Sequence, residues 1–194
     1  MDQPRLTGHL LVATPMLDDP NFRRSVVFVI DDDDAEGTLG VIVNRPSDLP
    51  VADVLADWGS YASRPSVMFA GGPVGTGAGL ALGEPGRDDA PLGWRPLANL
   101  AGGSSVSRLG TIDLDTPPEL LGGALGRLRV FAGYAGWGEG QVAEEIEEGA
   151  WYVLPATADD VFSTDPDALW SRVLRRQGGD LALVSTFPDD PTLN

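Results

Sequence analysis

Apolar residues along the chain gather in short runs separated by Gly-, Pro- and Asp-rich breaks, the pattern of strands joined by turns. Leu10 to Ala13 is the first run and ends at Thr14-Pro15. Ser25 to Ile30 is nearly continuous in apolar and β-branched residues, which predicts a strand buried on both faces. The acidic run Asp31 to Asp34, with Glu36 and Gly37, predicts a turn, and Thr38 to Val43 a third strand returning as a hairpin. Val51, Val54, Leu55 and Trp58 share one face of a short helix, with Ser47 or Asp48 as cap and Gly59 as stop. Val67 to Ala70 reads as a strand that runs into Gly71-Gly72-Pro73-Val74. Gly75 to Gly79 reads as flexible, and Gly83 to Pro96 as a long surface loop.

A further strand is expected near Val106 to Ile112. Thr116-Pro117-Pro118-Glu119 has the form of a capping box, opening a helix that would bury Leu120, Leu121, Ala124 and Leu125. Leu128 to Ala132 predicts a strand, Gly140 to Glu148 a helix and Trp151 to Leu154 another strand. The last helix takes Asp165 as cap, Pro166 in its first turn and Gly178 as stop. Helices and strands alternate irregularly around at least one hairpin, so the expected class is α+β and not a doubly wound parallel sheet. With no repeat and no dividing linker, residues 1–194 are expected to form one compact domain with short flexible ends.

Composition narrows the chemistry. All 13 basic residues are Arg, Lys is absent and the Cys count is 0, so Schiff-base amines, a P-loop lysine and thiolate nucleophiles are excluded. His9 is the one imidazole; with no second His to form a metal pair it reads as a hydrogen-bonded structural residue, and neither metal nor cofactor is expected. No apolar run approaches the roughly 20 residues that span a bilayer, and the amino terminus lacks a secretory pattern, which makes the cytoplasm the expected location. A formal net charge of -16 disfavours direct contact with nucleic acid or anionic lipid.

Four segments occur in a telling order: Gly8 to Ala13 through Asp19-Pro20-Asn21-Phe22 and Ser25-Val26-Val27; Gly40-Val41-Ile42-Val43-Asn44-Arg45-Pro46; Gly71-Gly72-Pro73-Val74; and Gly133-Tyr134-Ala135-Gly136-Trp137-Gly138-Glu139-Gly140-Gln141, continued by Glu145, Gly149, Ala150 and Trp151. Together they resemble the YqgE/AlgH family of bacterial proteins. The resemblance implies an α+β fold in which a small closed β-barrel is continuous with further sheet and flanked by helices. It implies no reaction, although some members are described as transcriptional regulators of exopolysaccharide synthesis. The chain departs from the family at Asp31 to Asp34 and at Leu82-Gly83, near which many relatives carry a histidine.

The candidate ligand- or partner-binding residues are Asn44, Arg45, Gly71, Gly72, Tyr134, Trp137, Glu139, Gln141 and Glu145. Arg45 offers a fork for a carboxylate or phosphate, or for an internal ion pair. Gly71 to Gly79 invites a phosphate-loop reading but lacks the P-loop and G-x-G-x-x-G patterns, leaving tight turns as the simpler reading. Tyr134 and Trp137, followed by Glu139, Gln141 and Glu145, suit a loop before a helix that holds a small ligand or a partner's side chain; the alternative is aromatic rings that plug the core. Arg172, Arg175 and Arg176 share a helix face and form a basic patch for an anionic partner or complement the helix dipole.

These residues favour a non-enzymatic binding or regulatory protein, with an unknown small molecule or protein as partner. An enzyme using a carboxylate acid–base pair, built from Glu139 or Glu145 and a facing Asp, is the alternative. A transcriptional regulator binding DNA directly ranks third, against the charge.

Overall fold

The computed structural model describes residues 5–87, 90–100, 104–121 and 123–189. The chain ends expected to be flexible lie outside this set in part. The strands are β1 (His9–Ala13), β2 (Val26–Asp33), β3 (Gly37–Ile42), β4 (Pro46–Pro50), β5 (Val67–Ala70), β6 (Val74–Pro85), β7 (Trp94–Pro96), β8 (Gly110–Ile112), β9 (Leu125–Trp137) and β10 (Trp151–Pro155). The helices are α1 (Val51–Val54), α2 (Gln141–Glu147), α3 (Ala158–Val161), α4 (Leu169–Gln177) and α5 (Gly179–Val184). Hydrogen bonding runs β10–β1–β2–β3–β9–β6–β8–β7, with β4 and β5 joined on through a parallel β5–β9 pairing. The sheet curls into a half-barrel and the fold is α+β, as expected. The barrel implied by the resemblance is thus an open one: the pairing path ends at β10 and β7.

Strand β9 makes this curl possible. Along one edge it pairs with β5 at Phe131 and Ala132 and with β3 at Ala135 to Trp137; along the other it pairs with β6. Between these stretches Gly133 takes φ 74°, where a side chain would strike the carbonyls of Gly72 and Val74. On the β6 side the register jumps from Val74↔Tyr134 to Gly79↔Ala132, so Gly75 to Ala78 bulge out opposite a single residue of β9.

Strand β2 is buried on both faces, as its sequence predicts. Val26, Phe28 and Ile30 join Leu10, Val12, Trp170, Val173 and Leu174 in one core. Val27 and Val29 join Leu11, Ile42, Trp137, Val142 and Trp151 in a second, beneath α2. A third core gathers Val51, Trp58, Met68, Leu121, Leu128 and Val130. At about 25 cal/mol per Å² of apolar surface removed from water, these three clusters are the main source of stability.

Several local expectations change. Asp31 to Asp33 belong to β2 itself, and the turn is confined to Asp34, Ala35 and Glu36; cross-strand pairing to Thr38 and Leu39 outweighs the low strand propensity of Asp. Pro46 to Pro50 is a strand against β5, so Ser47 bonds the Met68 carbonyl and caps no helix. Helix α1 then has a single turn, with Val51 buried but Val54 half-exposed. Gly75 to Gly79 and Gly83 to Pro85 belong to β6, and Trp94 to Pro96 to β7, because β8 and β9 supply ladder partners for them. The Thr116 segment yields a 3₁₀ turn over Pro118–Leu121 that buries Leu121 and leaves Leu120 exposed. Helix α4 starts at Leu169 since a turn, with Leu169 N–H donating to the Pro166 carbonyl, takes up the preceding residues.

Candidate functional site

The nine candidate residues fall into three neighbouring arrangements. In the first, Asn44 ties off the hairpin. Its side-chain oxygen accepts the Val26 N–H at 2.8 Å, and its amide donates to the Arg24 carbonyl at 2.9 Å. Arg45 turns back over the β1–β2 connection and donates to the carbonyls of Asn21 and Arg23. Partial burial lowers its pKa, against a smaller opposing pull from Asp19. Arg45 forms no ion pair among the described residues, in place of the internal pair weighed for it.

In the second, Gly71 and Gly72 pass close beneath β9. Gly71 N–H donates to Ala132 and its carbonyl accepts Ile42 N–H, so the residue pins β3, β5 and β9 together. A Cβ at Gly71 would overlap the Gly133 carbonyl, and one at Gly72 would overlap the carbonyl group of Tyr134. These glycines serve close backbone packing. Tyr134 sits in strand β9, its ring against Gly75.

The third arrangement carries the most chemistry. Trp137 ends β9 and is not in a loop; only Gly138 to Gly140 separate it from α2. One oxygen of Glu145, on α2, accepts the indole N–H of Trp137 at 2.9 Å and that of Trp151 at 2.8 Å. Its other oxygen accepts the Gln141 amide at 3.1 Å, and Gln141 Oε1 accepts Gly138 N–H at 3.0 Å. Phe22 stacks on Trp137 and meets Trp151 edge-on, with centroids 5.8 and 5.6 Å apart. With both Trp residues buried, Trp137, Gln141 and Glu145 act as an internal clasp joining β9, α2 and β10. Glu139 stays outside it, exposed at the rim of a recess shared with Asp32, Asp33 and Asp34. Asp33 is held below its ordinary pKa by the backbone N–H groups of Ala35 and Glu36.

Two hollows were not visible in the sequence. An apolar groove of about 650 Å³ lies between β4, α1, β5 and the bulged start of β6. Leu49, Val54, Met68, Phe69, Leu114 and the Thr76–Gly79 backbone line it, and Gly72 is the one candidate residue that reaches it. Leu49 and Val54 remain 46% and 50% exposed. The exposed apolar Val54 was the available signal, hidden by its place in an apparent core stripe. A second, polar pocket of about 740 Å³ gathers Arg64, Arg127, Arg172 and Arg176. The basic patch expected on α4 is divided, since Arg175 does not line this pocket. His9 has a buried Nδ1 without a hydrogen bond among the described residues. Among the described residues no group of three or more His, Asp or Glu is placed to hold a metal ion. Likewise no described helix is long and apolar enough to cross a membrane.

The protein is thus a curled α+β half-barrel with its aromatic motif turned inward and an apolar groove turned outward. The chain belongs to the AlgH-like family, DUF179, which it matches over residues 10–182. It is 66% identical to a UPF0301 protein of Thermobifida fusca, the match covering 100% of this chain and 98% of that one. A UPF0301 protein of Streptomyces coelicolor is 52% identical over 97% of this chain and 95% of its own. The crystal structure of a Corynebacterium diphtheriae protein superposes with TM-score 0.84 at 32% identity, covering 96% of this chain and 94% of that one. The solution structure of the Pseudomonas aeruginosa AlgH protein gives 0.65 at 28% identity, covering 97% of this chain and 98% of that one.

Proposed function

We propose that this is a non-enzymatic, cytoplasmic binding protein whose contact site is the apolar groove between β4, α1 and the start of β6. One observation carries the reading: Leu49 and Val54 are held half-exposed beside a hollow of about 650 Å³, while the polar groups of Trp137, Gln141 and Glu145 are engaged with one another. A hollow of that size with few polar groups suits an apolar ligand or an apolar side chain of a partner. Any regulatory effect then follows from binding, with no chemical step. Gly72 supports the groove by letting β6 depart close beneath β9, and Gly75 to Ala78 form its bulged wall.

The test is a titration with 1-N-phenylnaphthylamine, a neutral apolar fluorophore, against wild type, Leu49→Asp and Val54→Asp. Both substituted side chains are already partly in water, so melting temperatures should hold. The probe should brighten on wild type and bind at least about tenfold more weakly to each variant, a loss of roughly 1.4 kcal/mol. Equal binding by all three proteins would refute the assignment.

A further inference from the structure

The polar pocket holds an excess of positive charge in a chain whose formal net charge is -16. Two of its guanidiniums are accounted for by the fold. Arg127 binds Glu84 at 2.6 Å and Asp159 at 2.7 Å, and lies over the Phe162 ring. Arg176 forms a two-pronged pair with the buried Asp160, at 2.6 and 2.7 Å. The other two are not accounted for. The Arg172 guanidinium makes one hydrogen bond, to Ser163 Oγ at 2.6 Å, and no ion pair among the described residues. The Arg64 guanidinium has no partner among the described residues, although its backbone carbonyl is used.

Beneath the same wall lies a fifth cation. Arg129 is 1% exposed and donates only to neutral carbonyls, those of Val161, Ser163 and Arg64; the last two residues line the pocket. Its Nε is buried without a partner among the described residues. Burial lowers its pKa to about 10, the mark of a cation held without a counter-charge. Three carboxylates, those of Glu84, Asp159 and Asp160, therefore face five guanidiniums, a net excess of two positive charges, with Arg64, Arg129 and Arg172 the three that have no carboxylate partner among the described residues. Arg129 is the buried member of this set, and a buried charge without an opposite partner is costly; Arg64 and Arg172 are exposed, with their guanidiniums open to a bound anion.

We infer that the pocket between β9, α3 and α4 is a binding site for a phosphate monoester, a dianion whose charge matches the excess and whose oxygens suit the forked donors of Arg64 and Arg172. Ser63, Thr157 and Thr164 line the same pocket, and their hydroxyls are further candidate donors. At about 740 Å³ the pocket has room for the group that carries the phosphate. This site is separate from the apolar groove, and either assignment can fail without the other.

The experiment is isothermal titration of inorganic phosphate, a hexose phosphate and a phosphoserine peptide into the full chain at fixed ionic strength set with sodium chloride. Arg64→Gln and Arg172→Gln are titrated alongside, with circular dichroism and melting temperature as checks on folding. Arg64 is exposed and its side chain makes no hydrogen bond or ion pair among the described residues, so Arg64→Gln should melt as wild type does. The site predicts that wild type binds inorganic phosphate and that each variant binds it at least tenfold more weakly. Tighter binding of the hexose phosphate identifies a metabolite as the source of the phosphate, and tighter binding of the peptide identifies a modified protein. The inference is overturned if phosphate binds no better than chloride, or if a folded Arg64→Gln binds it as well as wild type.

Discussion

Replacing Glu145 separates an internal clasp from a ligand site. Glu145→Ala removes the acceptor of two indole N–H groups whose side chains are 4% and 3% exposed. A buried donor left without an acceptor costs about 1–3 kcal/mol. Two such donors, partly relieved by water entering where the carboxylate stood, give an expected loss of roughly 2–4 kcal/mol. Glu145→Gln keeps one acceptor oxygen for the indoles but turns an amide N–H₂ toward the Gln141 amide, which now donates to Glu145. Hydrogen bonds to a charged group contribute about 1.5–3 kcal/mol and neutral ones about 0.5–1.5, so this variant should lose about 1–2 kcal/mol. The assay is urea unfolding followed by tryptophan fluorescence and far-ultraviolet circular dichroism, with coincident transitions as the check on two-state behaviour. A Glu145→Ala protein within about 0.5 kcal/mol of wild type would refute the clasp, since that is the scatter of ordinary surface substitutions.

The remaining predictions use the same unfolding assay. Gly72→Ala should cost about 3 kcal/mol or more, because its Cβ would overlap the Tyr134 carbonyl group, whereas Gly77→Ala should change stability by less than about 1 kcal/mol, since a Cβ there meets nothing. Arg129→Ala should cost about 3–5 kcal/mol through the cavity left and the loss of donors to three carbonyls. Asp33, with its pKa depressed below 3.8 by two backbone donors, adds stability above its unfolded value that is lost as pH falls through the folded one. The difference between wild type and Asp33→Asn should therefore shrink on acidification below about pH 4 and be largest near neutrality.

Much of the sheet was legible because apolar runs such as Val26 to Ile30 are long enough to stand out and sit between Asp- and Gly-rich breaks. Strand β6 was hidden since Gly75, Gly77 and Gly79 have no strand propensity of their own; β9 supplies its ladder partner, and a partner distant in sequence leaves no local trace. Helix α3 was hidden by its four-residue length, despite the Thr157 N–H to Asp160 bond that closes its first turn. The aromatic motif was visible as a motif, and its spacing put Gln141 and Glu145 on one helix face. What the spacing could not show is that Trp151 and Phe22 close over it. The groove was illegible for a related reason: its walls come from β4, α1, β5 and β6, and only the fold brings Leu49 opposite Thr76 to Gly79.

Amide chemical-shift mapping with 1-N-phenylnaphthylamine tests the central claim most directly, because it reports where the chain binds and not merely that it does. The account predicts shifts at Leu49, Val54, Thr76 to Gly79 and Leu114, with Gly138 to Glu145 unmoved. Shifts centred on Trp137, Gln141 and Glu145, with the groove silent, would contradict it and return the aromatic motif to the surface as the contact site.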